Sequence, residues 1–486
     1  MMHLRITPNS QFPTPKKPVI AASNRLGSSV MGVVTAARTL RVRVASLKGS
    51  PRTALICAVF ALMLISACAQ DDRMNTLAER YVRLVLAVGQ HDADYVDAYY
   101  GPPAWRTEAE AAKLPLSDIA SRAATLAQAI ALAKPLVTAD ELTQLRHQYL
   151  ARQLEALRAR VSMLSGTKLR FDEESKALYD AVAPTHTEAD FAKVLAQLDA
   201  KLPGQGTLVS RYDAFRNRFV IPRDRLDAVF KAAIDGCRSR TLQHIMLPAG
   251  ESFTVEYVTG KSWSGYNWYQ GNYRSIIQVN VDLPVYVDRA IDLACHEGYP
   301  GHHVYNVLLE KNLLRDRGWV EFSVYPLFSP QSLIAEGTAN YGIEVAFPRA
   351  ERLEFEQRVV FPAAGLDPAT TAQYYDVLAL VDQLSYAGNE AARRYINGEI
   401  DAKGAADWLE TYGLYSPPRA EQRVRFTDQY RSYVINYNLG KDMVAAYIES
   451  RGGIDRRWAE FARLISSPRL PSALAVTSNA QLPTPK

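Results

Sequence analysis

The stretch His296-Glu297-Gly298-Tyr299-Pro300-Gly301-His302-His303 limits this chain more than any other part of it. Three of the chain's 8 histidines fall in this short run, beside a glutamate. A His-Glu pair with further histidines close by supplies imidazole ligands for zinc and a carboxylate that can take a proton from water. The run cannot be one continuous helix and still gather those ligands. Histidines that share a zinc on a straight helix stand four apart, and the fourth position after His296 is Pro300. On an unbroken helix His303 would lie about 10 Å further along, and His302 about 9 Å along and roughly 120° round. Neither would reach a metal that His296 holds at about 2 Å. Pro300 lacks the N–H that would bond the His296 carbonyl, its ring clashes there, and Gly298 and Gly301 accept unusual dihedrals. A break at residues 298–301 is therefore expected, bringing back a later histidine: His302, with His303 as the alternative.

The residues before the run read as strands. Phe253, Val255 and Tyr257 alternate with Thr254 and Glu256, and Tyr266 to Gln270, Gly271-Asn272 and Tyr273 to Val281 read as a hairpin. Asp282-Leu283-Pro284 reads as a helix entry, with a helix from Val285 that delivers His296 and Glu297. A strand edge beside such a helix can hold an extended peptide through its main chain. Elsewhere the pattern is helical. Leu142, Leu145, Tyr149, Leu154, Leu157 and Val161 recur at near-helical spacing, Thr187-Glu188-Ala189-Asp190 opens another periodic run, and helical texture returns from about 331 to 465. The expected fold is mainly α, a large helical metallopeptidase-like body with a small antiparallel sheet beside the active-site helix. Its parts are a leader over 1–67, a helical half over 69–245, the sheet and zinc-binding helices over 246–465, and a disordered tail over 466–486.

The leader explains the formal charge of +5. Residues 1–70 hold nine Lys or Arg and no Asp or Glu; without those nine, 47 basic residues face 51 acidic ones, a balance of −4. The mature body is mildly acidic and carries no nucleic-acid footprint. The apolar run Thr53 to Ala67 follows Arg52 and precedes Cys68-Ala69-Gln70, the pattern of an export signal rather than a membrane span. Ile65-Ser66-Ala67-Cys68 resembles the bacterial lipobox, which implies a lipidated Cys68 and an exported, membrane-anchored protein of the cell envelope, on its periplasmic face; an ordinary cleaved signal is the alternative. Cys68, Cys237 and Cys295 remain after maturation, so one disulfide at most is possible, and Cys295 reads as a buried structural thiol rather than a ligand beside His296.

The octet resembles the His-Glu-x-x-Pro-Gly-His-His signature of the bacterial family called domain of unknown function 885, which is related to zinc metallopeptidases whose third ligand is a glutamate on a later helix. Ala335-Glu336-Gly337-Thr338-Ala339-Asn340-Tyr341 is similar to a second segment of that family. The resemblance implies His296, His302 or His303, and Glu336 as zinc ligands and Glu297 as the general base. The third family segment is half present: Tyr437-Asn438-Leu439-Gly440 fits its end, while Arg431-Ser432-Tyr433 departs from it. Tyr437 or Tyr433 would then donate to the oxyanion. The implied activity is hydrolysis of a peptide substrate. A non-catalytic lipoprotein that binds metal or peptide, and an amidase or cell-wall peptide hydrolase, are the competing readings. Mass spectrometry of the native protein is expected to find a diacylglyceryl-modified Cys68 at the N-terminus; a free Ala69 or Asp71 terminus would refute the lipid anchor.

Overall fold

The computed structural model describes residues 72–474. The leader and Cys68 lie outside them, as do residues 475–486. Among the described residues helices predominate, joined by five short strands in two sheets, and none is long and apolar enough to cross a membrane.

Helix α1, Glu141–Leu164, carries the predicted apolar stripe. Asp140 caps it by accepting from the Leu142 and Thr143 amides at 3.1 and 3.2 Å, which satisfies donors left open at a helix start. Leu145, Tyr149, Leu154, Leu157 and Val161 are buried along it. Its one deeply buried cation, Arg146, makes two bonds to Glu321 at 2.6 and 3.0 Å and stacks over Trp319. That pair leaves neither charge unmatched in the core. A short helix, α2, Phe171–Tyr179, follows, and the run at Thr187 starts the helix Glu188–Lys201, with Thr187 and Asp190 forming its capping box. Helix α3, Leu226–Leu242, then packs on the region of the histidines.

Strands β2, Ser252–Val258, β3, Gly265–Gly271, and β4, Arg274–Asn280, form one sheet in the order β2-β4-β3. The expected sheet was antiparallel; the observed one is mixed, because β2 runs parallel to β4. Alternating apolar residues set which face of a strand is buried but not its direction. The link over 259–264 carries the chain one strand further on, and β4 returns into the gap. The hairpin turn also falls one residue later than expected, at Asn272 and Tyr273, both with positive φ (53° and 61°). Glu310 holds this turn by accepting from both amides, at 3.1 and 3.3 Å. A second pair, unforeseen in the sequence, joins β1, Val96–Tyr99, antiparallel to β5, Val324–Pro326.

Helix α4, Asp288–Leu293, begins three residues later than the expected Val285. Residues 285–287 instead lie against 219–221: Tyr286 bridges Val220, the Ile221 amide donates to the Val285 carbonyl and the Val287 amide to the Phe219 carbonyl, each at 2.9 Å. Cys295, expected as a free buried thiol, is disulfide-bonded to Cys237 of α3. The tail expected to be disordered from Ser466 is packed as far as the described residues run, with Ser467, Leu470, Pro471 and Leu474 buried.

Helices α6, Pro330–Ala346, and α8, Ile435–Glu449, cross most closely of all. (Between α4 and α6 lies α5, His302–Leu309, and before α8 lies α7, Pro417–Tyr430.) At the crossing Gly337 faces Gly440, and a methyl group on Gly337 would stand 2.4 Å from the Gly440 carbonyl oxygen. A neighbour that is backbone cannot swing aside. Gly337→Ala is therefore expected to cost about 1–3 kcal/mol through overpacking and to lower the melting temperature measured by circular dichroism. An unchanged melting temperature would show that the crossing has slack.

Candidate metal centre

Helix α4 runs into a wide π-helical turn, Ala294–Gly298, that carries His296 and Glu297. The chain then turns through Pro300 and Gly301 and starts α5 at His302. Gly301 is required by this geometry: its amide bonds the Cys295 carbonyl at 2.9 Å, and an added Cβ would lie 1.8 Å from the His296 carbonyl oxygen. The second helix thus begins against the last turn of the first. Its first side chain, His302, faces His296, with the two Nε2 atoms 3.1 Å apart.

Glu336 of α6 completes a triangle. Its Oε2 lies 3.3 Å from His296 Nε2 and 3.6 Å from His302 Nε2. Three donors bound tetrahedrally to one zinc at about 2.0–2.1 Å stand roughly 3.3 Å from one another. The triangle therefore has the dimensions of three ligands on one ion, and among the described residues these three side chains form the group able to hold a metal. Glu336 Oε2 is buried and makes no hydrogen bond, whereas Oε1 accepts from the Tyr433 hydroxyl at 2.8 Å. A buried carboxylate oxygen without a partner is costly, and a cation between it and two imidazoles would satisfy it.

The surroundings favour positive charge at the same point. Burial works against a charged His302, but Glu336, with Glu297 and Asp97 behind it, raises its pKa to about 9. Burial likewise works against an ionised Glu336, yet His302 and His296 hold its carboxyl well below the usual range. A site that favours an imidazolium favours a metal cation for the same reason. His296 is oriented from outside the triangle: its Nδ1 lies 3.1 Å from Asn340 Oδ1, and the Asn340 amide donates to the Tyr437 carbonyl at 3.0 Å. Such partners fix the ring and direct the other nitrogen inward.

His303 does not join the group. The next position on a helix points about 100° away, and His303 is fully buried between Ser275 Oγ at 2.9 Å and Glu251 at 3.0 Å. Glu251 also accepts from Tyr299 and Arg238, both at 2.7 Å. Burial opposes its charge, but His303, Tyr299 and Arg238 bring its pKa down to about 2. The second histidine of the pair ties α5 to the sheet.

Glu297 is buried beside the triangle, and burial pushes its carboxyl above the ordinary value. Gly265 on the edge strand β3 leaves room for it, since an added Cβ there would lie 2.9 Å from Glu297 Oε1. Of the two tyrosines expected near an oxyanion, Tyr433 is engaged with Glu336, while the Tyr437 hydroxyl makes no hydrogen bond among the described residues and its side chain lines the cavity over the site. That cavity is about 460 Å³. Two of its lining residues were missed in the sequence. Asp97, on the short strand β1, has its carboxyl pushed up to about 6 by burial, and Tyr266 hydrogen-bonds it. Nothing local marks it, because only the pairing of β1 with β5 brings it near. Asn340 could have been found, since it follows Glu336 by one helical turn.

No family model matches the chain, and no curated protein matches it. Among solved structures it is similar to a candidate lipoprotein from Colwellia psychrerythraea, with 15% identity over 76% of this chain and 70% of that one and a TM-score of 0.46. It is similar also to metallocarboxypeptidase 1 of Trypanosoma cruzi, with 13% identity over 82% of this chain and 90% of that one and a TM-score of 0.41. An M32 carboxypeptidase from Deinococcus radiodurans R1 matches at 14% identity over 82% and 88% of the two chains, with a TM-score of 0.33. The reading of the centre rests on its own geometry.

If this triangle binds metal, His296→Ala and Glu336→Gln should each abolish metal retention, while His303→Gln should keep it. Asn340→Ala should weaken binding about 10–100-fold. Elemental analysis and competition with a chromogenic chelator, on protein without a histidine tag, would check all four.

Proposed function

We propose that this protein is a zinc-dependent peptidase of the bacterial cell envelope and a member of the family its octet resembles. The observation that carries the reading is the triangle of His296, His302 and Glu336, 3.1–3.6 Å on a side, with the buried Glu297 beside it and a cavity over both. Two imidazoles, a carboxylate and room for substrate suit zinc in a catalytic rather than a structural site. Zinc bound there would supply Lewis acidity to water and to a substrate carbonyl.

The chain's own groups do the rest. Glu297 accepts the proton of the attacking water and returns it to the leaving amine as the C–N bond breaks. Tyr437, its hydroxyl uncommitted, donates to the carbonyl oxygen as negative charge develops there. Tyr433 acts through Glu336, as a positioning residue. The edge strand β3, whose residues 265–267 line the cavity, offers main-chain groups to an extended peptide. The disulfide between Cys237 and Cys295 supports an oxidising compartment, in keeping with export and an anchor at Cys68.

Glu297→Gln is expected to keep the metal and the melting temperature while lowering peptide hydrolysis by at least about 10²-fold. Hydrolysis of a fluorogenic peptide library at the native rate by that variant would remove Glu297 from the mechanism. No hydrolysis by the zinc-loaded native protein would leave a non-catalytic metal- or peptide-binding lipoprotein as the better account.

A further inference from the structure

Three arginines line the cavity, and two of them already have polar partners. Arg289 reaches Asp292 at 3.4 Å and Ser264 at 3.3 Å. Arg419 donates to the Pro284 carbonyl at 3.2 Å. Arg423, on α7, is different. Its guanidinium makes no hydrogen bond or ion pair with any described residue, and its Nε is buried without a partner. It is held only by aromatic faces, 4.8 Å from the Phe426 ring centroid and 5.8 Å from that of Tyr437. A guanidinium carries five donors in a rigid fork that matches a carboxylate. Leaving a buried donor unmade is costly, and stacking fixes the plane of the fork without using its N–H groups.

The position of Arg423 relates it to the centre. Tyr437, over whose ring it sits, is within electrostatic reach of Glu336 and Glu297 as well as Arg423. Tyr437 and Arg423 line the same cavity as His296, His302 and Glu336. Near the centre stand the carboxylates Glu336, Glu297 and Asp97, and Arg289, the cation that reaches Glu297, is already held by Asp292 and Ser264. Of the cavity's three arginines, Arg423 is the one whose donors have no polar partner among the described residues.

We propose that Arg423 is a specificity-determining residue that binds a carboxylate of the peptide substrate while the scissile carbonyl lies at the triangle. The proposal rests on the peptidase reading. The carboxylate has two sources with one chemistry, the C-terminus of the peptide or an acidic side chain. A charge-assisted Arg–carboxylate pair is strong and directional, and it would hold the substrate at a fixed distance from the reacting carbonyl.

The test uses the zinc-loaded protein for turnover and its Glu297→Gln variant for calorimetric binding. The probes are N-acetylated tetra-alanine as the free acid, the same peptide as its C-terminal amide, and amides in which one alanine is replaced by glutamate or by glutamine. Arg423→Gln and Arg423→Lys are compared with the native residue, with melting temperatures confirming that each is folded. The native protein is expected to prefer one carboxylate-bearing peptide over its neutral twin at least about tenfold. The preference should vanish in Arg423→Gln through a raised KM or Kd with kcat little changed, and return in part in Arg423→Lys. A preference for the free acid over the amide identifies the C-terminus, and one for glutamate over glutamine identifies a side chain. Equal handling of charged and neutral peptides by the native protein, or an undiminished preference in Arg423→Gln, overturns the proposal while any hydrolysis preserves the peptidase reading. An Arg423-dependent preference in binding without turnover upholds the carboxylate site and overturns the peptidase. Absence of both binding and turnover overturns both.

Discussion

The close crossing of α6 and α8 is the constraint on which the rest of the centre depends. Gly337 and Gly440 let two helix backbones meet without side chains between them. That contact sets how far Glu336 and Asn340 on one helix stand from Tyr437 on the other, and from Tyr433 just before it. Two hydrogen bonds register the result, one from Tyr433 to Glu336 and one from Asn340 to the Tyr437 carbonyl. Separating the helices by one methyl group would shift the carboxylate that closes the triangle, on a scale that matters for metal ligands with distances fixed to a few tenths of an ångström.

The other half of the centre is set by covalent geometry rather than by packing. Pro300 cannot continue the helix, and Gly301 alone fits against the His296 carbonyl, so the chain must leave one helix and begin another at once. The disulfide from Cys237 holds the turn in which His296 sits, and His303 fastens the next helix to the sheet through Ser275 and Glu251. Adjacent histidines therefore have opposite duties, one facing the triangle and one facing the core.

Much of this was legible in the sequence because it is local. The proline at the fourth position after His296 announced a break, and helical spacing of apolar residues announced α1 and its neighbours. What could not be read was non-local. The alternation in residues 253–257 marks a strand but cannot say that it lies parallel to β4. The tail after Ser466 looks polar and proline-rich, yet Leu470 and Leu474 find a groove in the body. Cys295 found Cys237 only because α3 packs on the turn. Choosing His302 over His303 likewise needed the path of the chain between the two helices, and Asp97 and Arg423 gave no local sign at all.

The pairing of β1 with β5, together with the Arg146–Glu321 ion pair 175 residues apart in sequence, bears on the order in which the chain can take shape. The segments made first cannot satisfy their own buried charge or hydrogen bonds until residues near 325 have followed. The wall that bears Tyr437 and Arg423 comes later still. Early intermediates would hold exposed, unmatched surface for as long as synthesis continues. The pocket is complete only once that wall has been made.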